Sequence, residues 1–92
     1  MATHLHITGV VQGVGYRYAF EREARALHLN GWVRNRLDGS VEAMLQGDHA
    51  AIEKIIAWAR QGPPSAKVSN VVIAEMENTS VQQNRFDILP TA

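Results

Sequence analysis

The chain has 92 residues, 46% of them hydrophobic, with nine Lys and Arg balanced by nine Asp and Glu. That length supports one domain over residues 1–92, with a single core shared between a sheet and one layer of helices. Zero net charge argues against a dedicated nucleic-acid binder, and the absence of cysteine excludes disulfides, thiolate metal sites and a cysteine nucleophile.

Taken in order, His4-Leu5-His6-Ile7-Thr8 alternates polar and apolar residues and predicts a first strand. Gly9-Val10-Val11-Gln12-Gly13-Val14-Gly15-Tyr16-Arg17 follows as a glycine-rich turn ending on arginine. A strand-to-helix turn of this kind can aim several N–H groups at one point with the helix dipole behind them, and a guanidinium adds forked charge for an anion. Glycine-rich turns are also ordinary connectors, so both readings stand at this point. Arg17 to Leu29 predicts a helix, with Phe20, Ala24 and Leu27 on its inner stripe and Asn30-Gly31 at its end. Trp32-Val33-Arg34-Asn35-Arg36 alternates as a second strand. Leu37-Asp38-Gly39-Ser40 carries a hairpin signal, and Val41-Glu42-Ala43-Met44-Leu45 is the return strand. Asp48 is placed as N-cap of a second helix with Ile52, Ile55, Ile56 and Ala59 inward, broken by Gly62-Pro63-Pro64-Ser65. Val68 to Met76 reads as a strand, and Arg85-Phe86-Asp87-Ile88 as a short last one.

This βαββαβ order with an additional edge strand predicts an α+β, ferredoxin-like sandwich: an antiparallel sheet with two helices on one face. In that topology strands one and two run parallel with strand three between them, so their carboxyl ends share one sheet edge. The glycine-rich turn, Arg17 and Asn35 meet there. Val33 is the expected core residue of strand two, so Asn35, two positions on, projects toward the same helix-covered face, where a carboxamide needs partners. It serves either to tie down the turn or to reach the anion site.

Seven of the nine basic residues are arginine, and residues 1–36 hold five of them (Arg17, Arg22, Arg25, Arg34, Arg36) against only Glu21 and Glu23. Arg22 and Arg25 read as a solvated helix face. Arg17 and the pair Arg34/Arg36, close to the glycine-rich turn, read either so or as anion ligands. His4 and His6 share one strand face without an evident third metal ligand and read as a surface pair. His28 and His49 fall at helix ends, and Trp32 and Trp58 read as packing residues. No run could span a membrane and no secretory leader is evident, so the expectation is a cytoplasmic protein with no membrane or nucleic-acid partner.

Two long segments carry a family resemblance. Gly9-x-Val11-Gln12-Gly13-Val14-x-Tyr16-Arg17 resembles the first signature of the acylphosphatases, and Gly31-Trp32-Val33-Arg34-Asn35-x-x-Asp38-Gly39-Ser40-Val41 resembles the second. Gly62-Pro63-Pro64-Ser65-Ala66-Lys67-Val68 and Phe86-Asp87-Ile88 are also similar to family segments, so the resemblance covers essentially the whole chain. It implies hydrolysis of the carboxyl-phosphate bond of small acyl phosphates to a carboxylate and inorganic phosphate, by a monomer without metal or organic cofactor. By resemblance, backbone N–H groups of Gln12, Gly13, Val14, Gly15, Tyr16 and Arg17 cradle the phosphate. The Arg17 guanidinium binds its oxygens, and the Asn35 carboxamide positions the attacking water. No histidine or carboxylate in either segment is placed as a base, and Asp38 reads as turn chemistry.

The chain departs from the family in ending Leu89-Pro90-Thr91-Ala92 where many members carry an Arg-aromatic pair, and in having glycine at position 15 where some carry a larger residue. Alternatives are a carbamoyl-phosphate-handling domain of a hydrogenase-maturation protein, or a non-catalytic phosphate- or RNA-binding module. RNA-binding domains of this topology stack bases on sheet aromatics, and Val41-Glu42-Ala43-Met44-Leu45 has none.

Overall fold

The computed structural model describes residues 2–77 and 81–92. Along the chain run β1 (Ala2–Val10), α1 (Tyr16–Ala26), β2 (Asn30–Asn35), β3 (Val41–Gln46), α2 (His49–Ala59), β4 (Lys67–Met76) and β5 (Phe86–Ile88). Residues 78–80, between the last two strands, lie outside the described residues. The strands form one sheet in the order β4-β1-β3-β2-β5. β1 pairs antiparallel with β3 (Leu5 opposite Ala43) and with β4 (Leu5 opposite Ile73), and β2 pairs antiparallel with β3 (Val33 opposite Ala43).

One feature differs from the antiparallel sheet expected from the sequence: β5 runs parallel to β2, Trp32 opposite Asp87. The sheet is therefore mixed. The direction of a three-residue edge strand is set by how its connection crosses from β4 to the far edge, and alternation within Phe86-Asp87-Ile88 carries no such information.

The alternating inner residues of the sheet, Leu5, Ile7, Val33, Val41, Ala43 and Leu45, pack with Phe20 and Ala24 of α1 and Ile52, Ile55 and Ala59 of α2 in one buried cluster. Ile56, expected in the inner stripe, is only partly buried against it. Asp48 occupies the N-cap of α2 as expected but makes no side-chain capping bond. Arg25 does more than cover a solvated face: its guanidinium donates to the Phe86 carbonyl at 3.0 Å and pairs with Glu21 at 3.1 Å, tying α1 to β5.

Tyr16 anchors the start of α1. Its ring is buried against Phe20 and Trp58, with centroids 6.2 and 5.4 Å away, and its hydroxyl donates to the Ala59 carbonyl at 2.8 Å. That carbonyl lies in the last turn of α2, where acceptors lack helical partners. Burial raises the Tyr16 phenol well above its ordinary pKa and keeps it a donor. Tyr16→Phe strands the Ala59 carbonyl, and a melt should show a loss of about 1–2 kcal/mol, a Tm drop of roughly 5–10 °C.

Candidate active site

β1 and β2 end at the same sheet edge, and each hands over to a loop there. After β1 the chain turns through Gly13 (φ 73°) and Gly15 (φ 79°, ψ 16°), the latter being the left-handed N-cap of α1. A Cβ at Gly15 would meet nothing within 4 Å. A larger side chain thus fits in space, and glycine is favoured here by backbone conformation, worth about 1–2 kcal/mol for an ordinary L-residue. Gly15 brings no capping side chain, and the first helical bond runs from Ala19 N–H to the Gly15 carbonyl at 3.1 Å. The amides of Tyr16, Arg17 and Tyr18 precede it and have no intrahelical acceptor. They carry the positive end of the helix dipole.

The other loop is tied to this turn through Gln12 and braced from within and by the C-terminal tail. The Gln12 carboxamide donates to the Arg36 and Ser40 carbonyls, both at 2.8 Å. Asp38 accepts from the Ser40 amide at 2.9 Å and the Ser40 hydroxyl at 2.6 Å, closing the turn of the hairpin. These bonds to Ser40 hold the exposed Asp38 carboxyl below the usual carboxylate range. The C-terminal tail completes the clamp: Leu89 N–H reaches the Val33 carbonyl (2.9 Å), Ala92 N–H the Asn35 carbonyl (3.0 Å), and Leu37 N–H the Ala92 carbonyl (2.8 Å). Leu89-Pro90-Thr91-Ala92 therefore makes backbone contacts beside Asn35 without an Arg-aromatic pair.

Between the two loops lies a concavity of about 140 Å³ lined by Val11, Gln12, Gly13, Gly15, Tyr16, Arg17, Tyr18 and Asn35. Six of the seven residues expected at the site from the sequence are brought together here. The seventh, Val14, is absent from the lining and packs partly against the core. Asn35 Oδ1 is buried and has no hydrogen-bond partner among the described residues. An unpaired buried amide oxygen costs about 1–3 kcal/mol, so its placement needs a reason other than stability. The Arg17 guanidinium lies 5.8 Å from the Tyr18 ring centroid and pairs with no carboxylate among the described residues. An unneutralised guanidinium, unmatched amide hydrogens and one unpaired carboxamide oxygen suit a tetrahedral oxyanion with a water beside it.

Similarity to known proteins places the chain. The acylphosphatase family model matches residues 3–88. The chain belongs to the acylphosphatase family. An acylphosphatase of Burkholderia ambifaria is 51% identical over 84 residues, 91% of this chain and 82% of that one. The crystal structure of acylphosphatase from Bacillus subtilis superposes with a TM-score of 0.88 at 34% identity, covering 96% of this chain and 97% of its own. Full-length HypF, in a phosphate- and nucleotide-bound form, also contains the fold: TM-score 0.85 at 28% identity, over 98% of this chain but 12% of HypF. The protein is an acylphosphatase hydrolase, acting on acyl phosphate with inorganic phosphate as product.

The acylphosphatase site omits one pair that the charge distribution had offered to it. Arg34 Nε and Arg36 Nη1 lie 2.8 and 3.2 Å from Glu42 Oε1, and His4 Nε2 lies 2.7 Å from Glu42 Oε2. Arg34 also covers the Trp32 ring at 4.8 Å. Strand parity puts Arg34, Trp32, Glu42 and His4 on the sheet face away from the helices. Arg34 and Arg36 neutralise Glu42 and are not anion ligands of the concavity. Among the described residues no group of three or more His, Cys, Asp or Glu could hold a metal ion. Burial pushes the Glu42 carboxyl up, but the bonds from His4 and Arg34 and the Arg34 charge outweigh it and leave it below its usual range. A carboxyl lowered on folding stabilises above its unfolded pKa, and that contribution is lost as pH falls through the folded value. The stability gap between wild type and Glu42→Gln should therefore be full at pH 7 and shrink below about pH 4 in urea melts.

Proposed function

We propose that this acylphosphatase hydrolyses small acyl phosphates with the phosphoryl group seated over residues 12–17 and water held by Asn35. The observation that carries the reading is the buried Asn35 Oδ1, without a hydrogen-bond partner among the described residues, in the same 140 Å³ concavity as Arg17, which pairs with no carboxylate among them. Amides of the turn, including those of Tyr16 and Arg17, donate to the phosphoryl oxygens, and the guanidinium binds them as a fork. Phosphoryl transfer through a loose transition state asks for positioning and charge stabilisation more than covalent chemistry, and this set supplies both. Asn35 Oδ1 accepts one hydrogen of the attacking water and orients its lone pair toward phosphorus. The carboxylate departs unprotonated, so no general acid is needed. The site presents no carboxylate or histidine within its lining, and the substrate phosphoryl oxygens accept the water's second proton.

In this reading the enzyme needs no metal, and works as a cytoplasmic monomer without nucleic-acid or membrane partners. No helix among the described residues is long and apolar enough to cross a membrane. Phosphate release from acetyl, benzoyl and carbamoyl phosphate, measured with excess EDTA, tests the proposal. Hydrolysis of acetyl and benzoyl phosphate undiminished by EDTA is expected. A preference for carbamoyl phosphate would favour the role of a carbamoyl-phosphate-handling domain. Binding of RNA without phosphate release would favour the non-catalytic module.

A further inference from the structure

The 140 Å³ concavity accommodates a phosphoryl group, and the acyl portion of a substrate must extend beyond it. The neighbouring surfaces differ in how they meet it. The cavity lined by Thr8, Gly9, Asp38, Gly39 and Ser40 shares no lining residue with the concavity. A larger one, about 530 Å³, is lined by Gly15, Tyr18, Ala19, Glu21, Arg22, Arg25 and Pro63, and shares Gly15 and Tyr18 with it. The shared wall is therefore the first turn of α1. An in-line displacement puts water and leaving group on opposite sides of phosphorus. Asn35, which enters from β2, holds the water side, which leaves the α1 side for the departing carboxylate.

Tyr18 stands at that junction. It is 67% exposed, unlike Tyr16 two residues earlier, which is buried. Its ring lies against the Arg17 guanidinium at 5.8 Å. Beyond it the wall continues over Ala19 and Pro63, while the charges of Glu21 and Arg25 are spent on each other. An exposed ring with its polar tip in water is an amphipathic platform on which a flat apolar group can stack. We infer that Tyr18 is the specificity residue of an acyl subsite on the outer face of α1, selecting acyl phosphates whose acyl group is aromatic or similarly flat and apolar over acetyl phosphate. The inference rests on the phosphoryl seat and water site proposed above.

The test compares kcat/KM for benzoyl and acetyl phosphate in wild type, Tyr18→Ala and Tyr18→Phe, with the inhibition constant of inorganic phosphate measured in each. Differences in intrinsic reactivity of the two substrates cancel when their ratio is compared between variants. Loss of the ring should lower the benzoyl-to-acetyl ratio about tenfold in Tyr18→Ala, the scale of one aromatic contact. Tyr18→Phe keeps a ring against Arg17 and should keep both the ratio and the phosphate inhibition. In Tyr18→Ala phosphate inhibition should weaken by no more than that one contact, about a few-fold, with the benzoyl-to-acetyl ratio reading the acyl subsite alone. An unchanged ratio in Tyr18→Ala overturns the inference. So does a parallel loss on both substrates with weakened phosphate inhibition, which would make Tyr18 a support of the anion turn. Failure of wild type to hydrolyse either substrate overturns the catalytic reading itself, and the subsite with it.

Discussion

Arg17→Ala should lower kcat/KM for acetyl phosphate by about 10³-fold, the scale seen when a charged donor to a transferring phosphoryl group is removed. The guanidinium has no carboxylate partner among the described residues, so its charge is not already spent when an anion arrives. Inhibition by inorganic phosphate should weaken as well, because the same fork binds ground-state oxygens. Arg17→Lys should restore only a small part of the activity. An ammonium supplies a point charge where two parallel donors are needed. Stability should change little. The packing Arg17 shows is against the exposed Tyr18 ring, a contact worth about 0.5–1 kcal/mol. Steady-state kinetics with a parallel melt separates loss of chemistry from loss of fold.

Asn35→Ala should reduce kcat by about 10²–10³-fold while leaving phosphate inhibition within a few-fold, since the carboxamide acts on the water and not on the anion. Its second consequence is less ordinary. Asn35 Oδ1 is buried without a donor among the described residues, so truncation removes a burden from the folded state. The variant should be at least as stable as wild type in urea, against the general trend for point substitutions. Activity lost with stability kept or gained is the signature of a group retained for function. Wild-type turnover in purified Asn35→Ala would remove Asn35 from the mechanism.

Much of the fold was legible because local pattern and tertiary role agree. The alternation of Leu5 and Ile7, and of Val41, Ala43 and Leu45, survives as the inner face of the sheet. The spacing of Phe20 and Ala24 survives as the buried stripe of α1. Topology alone then brought Asn35 to the edge where the Gln12–Arg17 turn ends. What the sequence withheld depends on long-range closure. The parallel docking of β5 is fixed by a connection across the sheet. The pairing of Arg34 and Arg36 with Glu42 follows from strand register, with Arg34 directly opposite Glu42. The Gln12 carboxamide and the Ala92 amide work through carbonyls of Arg36, Ser40 and Asn35, which no side-chain pattern displays. A glutamine inside the glycine-rich turn was the one available sign that the loops are cross-tied, and it reads equally well as a surface residue.

The turn from Gln12 to Arg17 and the carboxamide of Asn35 are taken as two halves of one site, and a crystal structure with phosphate or sulfate bound tests that most directly. The account predicts the anion over residues 12–17, its oxygens on the turn amides and the Arg17 guanidinium, with Asn35 Oδ1 within reach through one water. An anion seated instead on Arg34 and Arg36 at the opposite sheet face, with the turn unoccupied, would contradict it.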